Sequence, residues 1–354
     1  MRLSRSKLLL GANGCDAMLV TKLANIAYLT GFTGSAAILL ITRDRAVLAT
    51  DGRYKDQAPE QLAGAMVDAE IVIGGGQKQL DDLAIAAQGC ARLGLEEREV
   101  SWSLLDRVTR SFSAGIVRTT GLIEGLRSIK DEGEIARIAL ACEIADRALE
   151  EVKHRLGEEP TESEFAAELE FAMRRLGSTG ASFETIVASG TNSALPHARP
   201  TQRTITEGDF VVVDFGAMVG GYHSDMTRTF VVGAPTQEQR DHYEAVLVAQ
   251  QAGVDAVGPG ILASEVDRAC REALIEHNLG EYFTHGTGHG VGREIHEAPS
   301  VGSGVTDSLS VGMVVTVEPG VYLAGTGGVR IEDTLVVTND GARPLTTSTK
   351  DYLL

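Results

Sequence analysis

"VVVDFGAMVGGYHSDMTRTF", Val211 to Phe230, places two aspartates in surroundings that disfavour them. Asp214 closes an apolar, β-branched run, and Asp225 stands eleven residues on, where the next strand-like run begins. The intervening GAMVGG has the glycines of a hairpin turn, so the segment predicts two neighbouring strands that bring both acids towards one point. A carboxylate in such a run is costly to bury unless a cation or hydrogen bonds offset the loss of water. Taken alone, the pair reads equally well as two exposed turn aspartates.

The same pattern recurs in VVTVEPG, where Glu318 ends an apolar strand, and in VRIEDTLVV, where Glu332 is expected inside one. Two Asp and two Glu embedded in this way are difficult to satisfy without cations. An oxygen-rich set suits hard ions such as Mg²⁺ or Mn²⁺, and one imidazole moves the preference towards Mn²⁺, Co²⁺ or Zn²⁺. HGTGHGVGREIHEAP, His285 to Pro299, can supply that imidazole, with three of the chain's eight histidines inside twelve residues. Its glycines, Gly286, Gly288, Gly290 and Gly292, let the backbone pass close to a ligand. A single loop histidine is more often a surface or core residue, but three beside four embedded acids favour function.

A chain of 354 residues predicts two domains. The first 120 or so residues alternate short apolar strands (DAMLV, AAILLIT, EIVIGGG) with helical stretches, a small α/β domain. The texture changes between Ile123 and Lys130. A long amphipathic helix then spans Glu134 to Leu156, and a second opens at PTESEF, where Thr161 and Glu164 form a capping box and Gly177 marks the end. Two further helices near 236–256 and 263–278 lie between strand-like runs, which makes the remainder α+β. No internal repeat is legible. A net charge of −17 argues against a nucleic-acid partner, which needs concentrated Lys and Arg. No run of eighteen apolar residues is present, so no membrane-spanning helix is expected. Leu8 to Leu10 is too short for a signal core, and the four scattered cysteines suit a reducing cytoplasm.

In that order, Asp214, Asp225, His289, Glu318 and Glu332 resemble the ligand set of the dinuclear metallopeptidases with the pita-bread fold, which include methionine aminopeptidase, aminopeptidase P and prolidase. DFGAMVGGYHSDMTRTF, HGTGHGVGREIHEAP, EPGVY and GGVRIEDT are similar to the family's motifs, and LRSIKDEGEI to the entry of its catalytic domain. NIAYLTGFTGSAAILLI and TDGRYKDQA resemble the N-terminal domain of the Xaa-Pro-cleaving branch and of creatinase. Creatinase relatives lack the intact metal set, and methionine aminopeptidase lacks this N-terminal domain. The resemblance therefore implies an α+β pita-bread catalytic domain over 123–354 and a smaller creatinase-like α/β domain over 1–122.

It also implies metal-dependent hydrolysis of an Xaa-Pro peptide bond in a di- or oligopeptide, by a cytoplasmic homodimer with two divalent ions per chain, Mn²⁺ first and Co²⁺ or Zn²⁺ as alternatives. Asp214 would reach the second ion, Asp225 and Glu332 would bridge both, and His289 and Glu318 would hold the first. Glu318 would also shuttle the proton. His197 would contact the substrate near the scissile bond, His285 would line the proline pocket, His296 would steady the transition state, and Arg330 would brace the acidic centre. Prolidases resembling this chain carry an arginine directly after the HExP proline; here that residue is Ser300, and Arg53 or Arg293 is the expected substitute. The expected activity is that of an Xaa-Pro dipeptidase, with aminopeptidase P as the alternative. A non-catalytic peptide-binding module is the competing class, disfavoured because all five ligands and the three histidines are present.

Overall fold

A computed structural model describes residues 2–354, which divide into two compact units, the first ending at Arg127 and the second running Ser128–Leu354. The division falls after Arg127, not after residue 122. The helix Leu122–Ser128 buries Ile123 and Leu126 in the core of the first unit, so it belongs there.

In the first unit, six strands (β1 Ala17–Val20, β2 Ala37–Thr42, β3 Ala46–Thr50, β4 Glu70–Ile73, β5 Arg92–Glu96, β6 Gly115–Thr119) form one mixed sheet in the order β4-β3-β2-β1-β5-β6. The central strand β1 is apolar and buried at every position because both faces are covered. Along β1, Ala17 and Leu19 enter one core cluster, and Met18 and Val20 enter the other, the two-residue alternation of a pleated strand. Helices α1 (Arg2–Ala12), α2 (Leu23–Thr30), α3 (Gln57–Gly64) and α6 (Leu122–Ser128) cover one face; α4 (Gln77–Ala86) and α5 (Trp102–Ser111) cover the other.

The second unit presents one arrangement twice, a helix pair followed by an antiparallel sheet. Helices α7 (Glu132–Val152) and α8 (Glu162–Arg175) pack on β7 (Ile186–Ser189), β8 (Phe210–Phe215) and β11 (Met226–Val231), in the order β11-β8-β7. Both helices start with a capping box, from Asp131 with Glu134 and from Thr161 with Glu164. Helices α9 (Gln237–Ala256) and α10 (Ala263–Glu276) pack on β12 (Gly288–Gly290), β13 (Glu297–Val301), β14 (Val314–Val317), β17 (Asp333–Thr338) and β18 (Gly341–Pro344). Burial of Val211, Val213 and Phe215 on the first sheet and Val315, Val317 and Leu335 on the second stabilises each layer by about 1.5–3 kcal/mol per side chain. No helix among the described residues is long and apolar enough to cross a membrane.

Two local departures from expectation matter for the site. The segment between Asp214 and Asp225 is not a plain hairpin turn: it carries its own small ladder, β9 (Met218–Val219) with β10 (Tyr222–His223), turned by Gly220 and Gly221 at φ of 57° and 75°. That conformation favours glycine. VRIEDTLVV is not one strand either. It ends the pair of β15 (Gly320–Leu323) with β16 (Gly327–Arg330), breaks at Ile331 and Glu332, and re-enters the other sheet as β17.

Candidate metal centre

Each sheet of the second unit delivers acids from one antiparallel strand pair. In the first, Asp214 is the penultimate residue of β8 and Asp225 directly precedes β11, the register placing Asp214 opposite Thr227. In the second, Glu318 directly follows β14 and Glu332 directly precedes β17. His289 sits at the centre of β12, on the same sheet. β12 can lie this close only because it lacks side-chain bulk: a Cβ at Gly288 would strike the Thr316 carbonyl oxygen.

All five residues line a single cavity of about 450 Å³, together with His197, His285, His296 and Arg330. His289 Nε2 lies 3.4 Å from Asp225 Oδ2 and 3.4 Å from Glu318 Oε1. Its Nδ1 donates to the Gly290 carbonyl at 3.1 Å, which leaves the Nε2 lone pair facing those two carboxylates. Ligand atoms of Asp225, His289 and Glu332 lie within 4.8 Å of one another. Asp214 Oδ1 and Glu332 Oε1 are buried without a hydrogen-bond donor. A lone pair aimed at anionic oxygens, with two further buried oxygens lacking donors, suits a hard divalent cation with mixed oxygen and nitrogen ligands. The residues present therefore fit a metal centre.

Charge supports the same fit. Burial raises Asp225 well above the ordinary carboxylate range, and the negative charges of Glu332, Asp214 and Glu318 push it further. Glu332 is raised by burial and then by Glu318 and Asp214. Burial brings Glu318 up to about 7, against the pull of Arg330. These acids hold protons in the fold that an unfolded chain releases near pH 4. Their contribution thus favours the metal-free fold at low pH and is lost as pH rises through the raised values, Glu318's near 7. Cations displace those protons, so the rise in Tm on adding Mn²⁺ is expected to be larger at pH 8 than at pH 5. Thermal melts with and without Mn²⁺ measure it, and an equal gain at both pH values would contradict the proton–metal exchange.

The surrounding groups form a continuous network. Arg330, almost wholly buried, donates from Nη2 to Asp214 at 2.5 Å, from Nε to Thr227 Oγ1 at 3.0 Å, and from Nη1 to the Pro196 carbonyl at 3.2 Å and to Tyr322 Oη at 2.8 Å. Thr227 Oγ1 in turn donates to Glu332 Oε2 at 2.7 Å. Tyr322 Oη lies 2.9 Å from His285 Nε2, whose Nδ1 donates to the Gly286 carbonyl. Burial brings His285 down to about 4, so this imidazole is neutral at physiological pH. His296 packs edge-on to His289 with ring centroids 4.4 Å apart, and burial lowers its pKa. Of the four histidines in the wall, His197 and His296 are the exposed ones.

Matches to known proteins agree with this geometry. Residues 136–339 match metallopeptidase family M24, and residues 2–129 match the creatinase/prolidase N-terminal domain. The chain belongs to metallopeptidase family M24. An Xaa-Pro dipeptidase from Bacillus anthracis of known structure superposes with a TM-score of 0.96 at 40% identity, covering 100% of this chain and 99% of that one. An Xaa-Pro dipeptidase of Pyrococcus horikoshii is 37% identical over 96% of this chain and 95% of its own. The crystal structure of an X-Pro aminopeptidase from Thermotoga maritima gives a TM-score of 0.90 at 36% identity, over 99% of this chain and 100% of that one. This M24 chain thus pairs the family's catalytic domain with the N-terminal domain that the sequence motifs implied.

Neither Arg53 nor Arg293 is among the residues that line the cavity. Arg53 belongs to the first unit, where Asp51 holds it at 2.8 Å and its guanidinium lies over Tyr54. Arg293 lies over the Tyr222 ring, 5.1 Å from its centroid, and does not line the cavity. Tyr322 and Thr227 were not legible as site residues. Tyr322 lies inside EPGVY and Thr227 inside DMTRT, but only their partners across the sheets give them roles.

Proposed function

We propose that this chain hydrolyses the Xaa-Pro bond of dipeptides, as an Xaa-Pro dipeptidase. The observation that carries the reading is the convergence of Asp214, Asp225, His289, Glu318 and Glu332 in one cavity, with carboxylate oxygens left without donors. The chain's similarity to Xaa-Pro dipeptidases at 37–40% identity over nearly the whole chain supports it. In this reading the five residues hold two divalent ions per chain, Mn²⁺ by preference, in a cytoplasmic homodimer. The free cysteines are consistent with a reducing compartment.

Divalent ions held there would supply positive charge that lowers the pKa of the attacking water and offsets the charge developing on the scissile carbonyl oxygen. Glu318 takes the proton from the attacking water and passes it to the proline nitrogen, which must be protonated to leave. His197 and His296 donate to the developing oxyanion. His285, held neutral and fixed by Tyr322 and Gly286, presents an uncharged face to the proline ring. A proline amide has no N–H, so nothing in the cavity need accept one. Arg330 keeps Asp214 in place and, through Thr227, Glu332.

A second reading, an Xaa-Pro aminopeptidase acting on longer peptides, is favoured by the Thermotoga maritima relative and by Ser300. Initial rates on an Xaa-Pro dipeptide and an Xaa-Pro-Xaa tripeptide, with Mn²⁺, separate the two. The dipeptide is expected to have a kcat/KM at least about tenfold higher, the factor that about 1.4 kcal/mol of carboxylate binding supplies. Cleavage of the tripeptide alone would establish the aminopeptidase.

A further inference from the structure

A dipeptide brings a second charge into the cavity. On the dipeptidase reading, on which this inference rests, the substrate ends in a free carboxylate on the residue next to the scissile bond. Two extended residues span at most about 7 Å, so the cation that meets this carboxylate belongs to the cavity wall. The position after Pro299 cannot supply it, since Ser300 is uncharged.

Among the described residues that line the cavity, Arg199 and Arg330 are the two with a permanent cation. Arg330 is committed, with donors to Asp214, Thr227, Tyr322 and the Pro196 carbonyl. Arg199 stands differently. It follows His197 by two residues, its side chain is 63% exposed, and its Nη1 lies 2.5 Å from Oε2 of Glu184. Glu184 lines the same cavity and is 64% exposed. An ion pair this exposed adds little to stability and exchanges partners readily. A guanidinium fork matches a carboxylate with two parallel hydrogen bonds, which makes it selective for an acid over a neutral amide.

We propose that Arg199 binds the C-terminal carboxylate of the dipeptide, with Glu184 occupying the guanidinium until the substrate takes its place. Arg199 is then the specificity-determining residue that replaces the arginine missing at Ser300. It acts on a part of the substrate that does not react, so its loss raises KM and spares kcat.

The test compares an Xaa-Pro dipeptide with the same compound as its C-terminal amide, in the Mn²⁺-loaded wild type, in Arg199→Ala and in Arg199→Lys. The wild type is expected to prefer the acid. Arg199→Ala is expected to raise KM for the acid by about 10- to 100-fold and to collapse the acid-to-amide ratio of kcat/KM. Arg199→Lys should recover part of that ratio, because an ammonium keeps the charge but loses the fork. Inhibition by free proline should weaken in parallel in Arg199→Ala, whereas inhibition by prolinamide should not. A wild-type preference for the acid that survives intact in Arg199→Ala overturns the anchor alone. A wild type that cleaves amide and tripeptide as readily as the dipeptide acid overturns the dipeptidase reading and the anchor with it.

Discussion

Glu318→Gln is expected to lower kcat for Xaa-Pro hydrolysis by about 10²- to 10⁴-fold, the usual contribution of a positioned acid–base group, while the chain remains folded. The change removes one proton site and keeps the shape. Glu318 is held by its own backbone, whose N–H donates to the Thr287 carbonyl at 2.8 Å, and by Thr316 Oγ1 at 3.1 Å from Oε1. A glutamine oxygen can accept that same bond, so the end of β14 is unchanged. Its amide cannot take a proton from water or return one to the proline nitrogen. The side chain would also lose its charge as a metal ligand, so metal content must be measured beside kcat. Full turnover in a folded, metal-loaded variant would refute the shuttle.

Arg228→Met is expected to destabilise the second unit by about 3–5 kcal/mol, the cost of leaving one member of a buried ion pair alone. Arg228 is fully buried and uses all five of its N–H donors. They reach the carbonyls of Thr227, Glu332, Ser348 and Thr349, and Asp333 Oδ1 at 2.9 Å. Burial works against the charge of Asp333, yet Arg228 and Lys350 hold it below the ordinary carboxylate range. Methionine fills much of the space and satisfies none of these acceptors. At about 2–4 °C per kcal/mol for a unit of this size, Tm should fall by roughly 10 °C. Two of the freed carbonyls belong to Thr227 and Glu332, so metal affinity should fall as well. A Tm unchanged within about 2 °C would show that the remaining partners of Asp333, Lys350 at 2.7 Å, Thr346 Oγ1 at 2.8 Å and Gln250 at 3.0 Å, suffice.

The site's acids were legible because each breaks a local rule. Asp214, Asp225, Glu318 and Glu332 are charged residues at the ends of apolar runs, a pattern with an energetic penalty that sequence alone exposes. The start of α8 was legible for a similar reason, since a capping box is complete within four residues. Arg228, Tyr322 and Arg199 break no local rule. Arg228 finds Asp333 across 105 positions of chain, and nothing in DMTRT announces it. Arg199 looks like any charged loop residue until the fold sets it in the wall that holds His197 and Asp214. The break at Ile331 and Glu332 was hidden because VRIEDTLVV is rich in β-branched residues and has no Gly, Pro or Asn to mark a turn, and a strand that changes sheets keeps the composition of one that does not. The doubled helix-pair-and-sheet plan of the second unit was equally silent, because the two halves share geometry without sharing sequence.

The central claim is that the five converging residues work through bound divalent ions on an Xaa-Pro bond. The most direct measurement follows hydrolysis of an Xaa-Pro dipeptide through chelation and graded return of Mn²⁺, with metal content measured at each step. The account predicts that activity falls to background when the metal is gone and returns in full at two ions per chain. Activity that persists in the fully metal-free chain would contradict it.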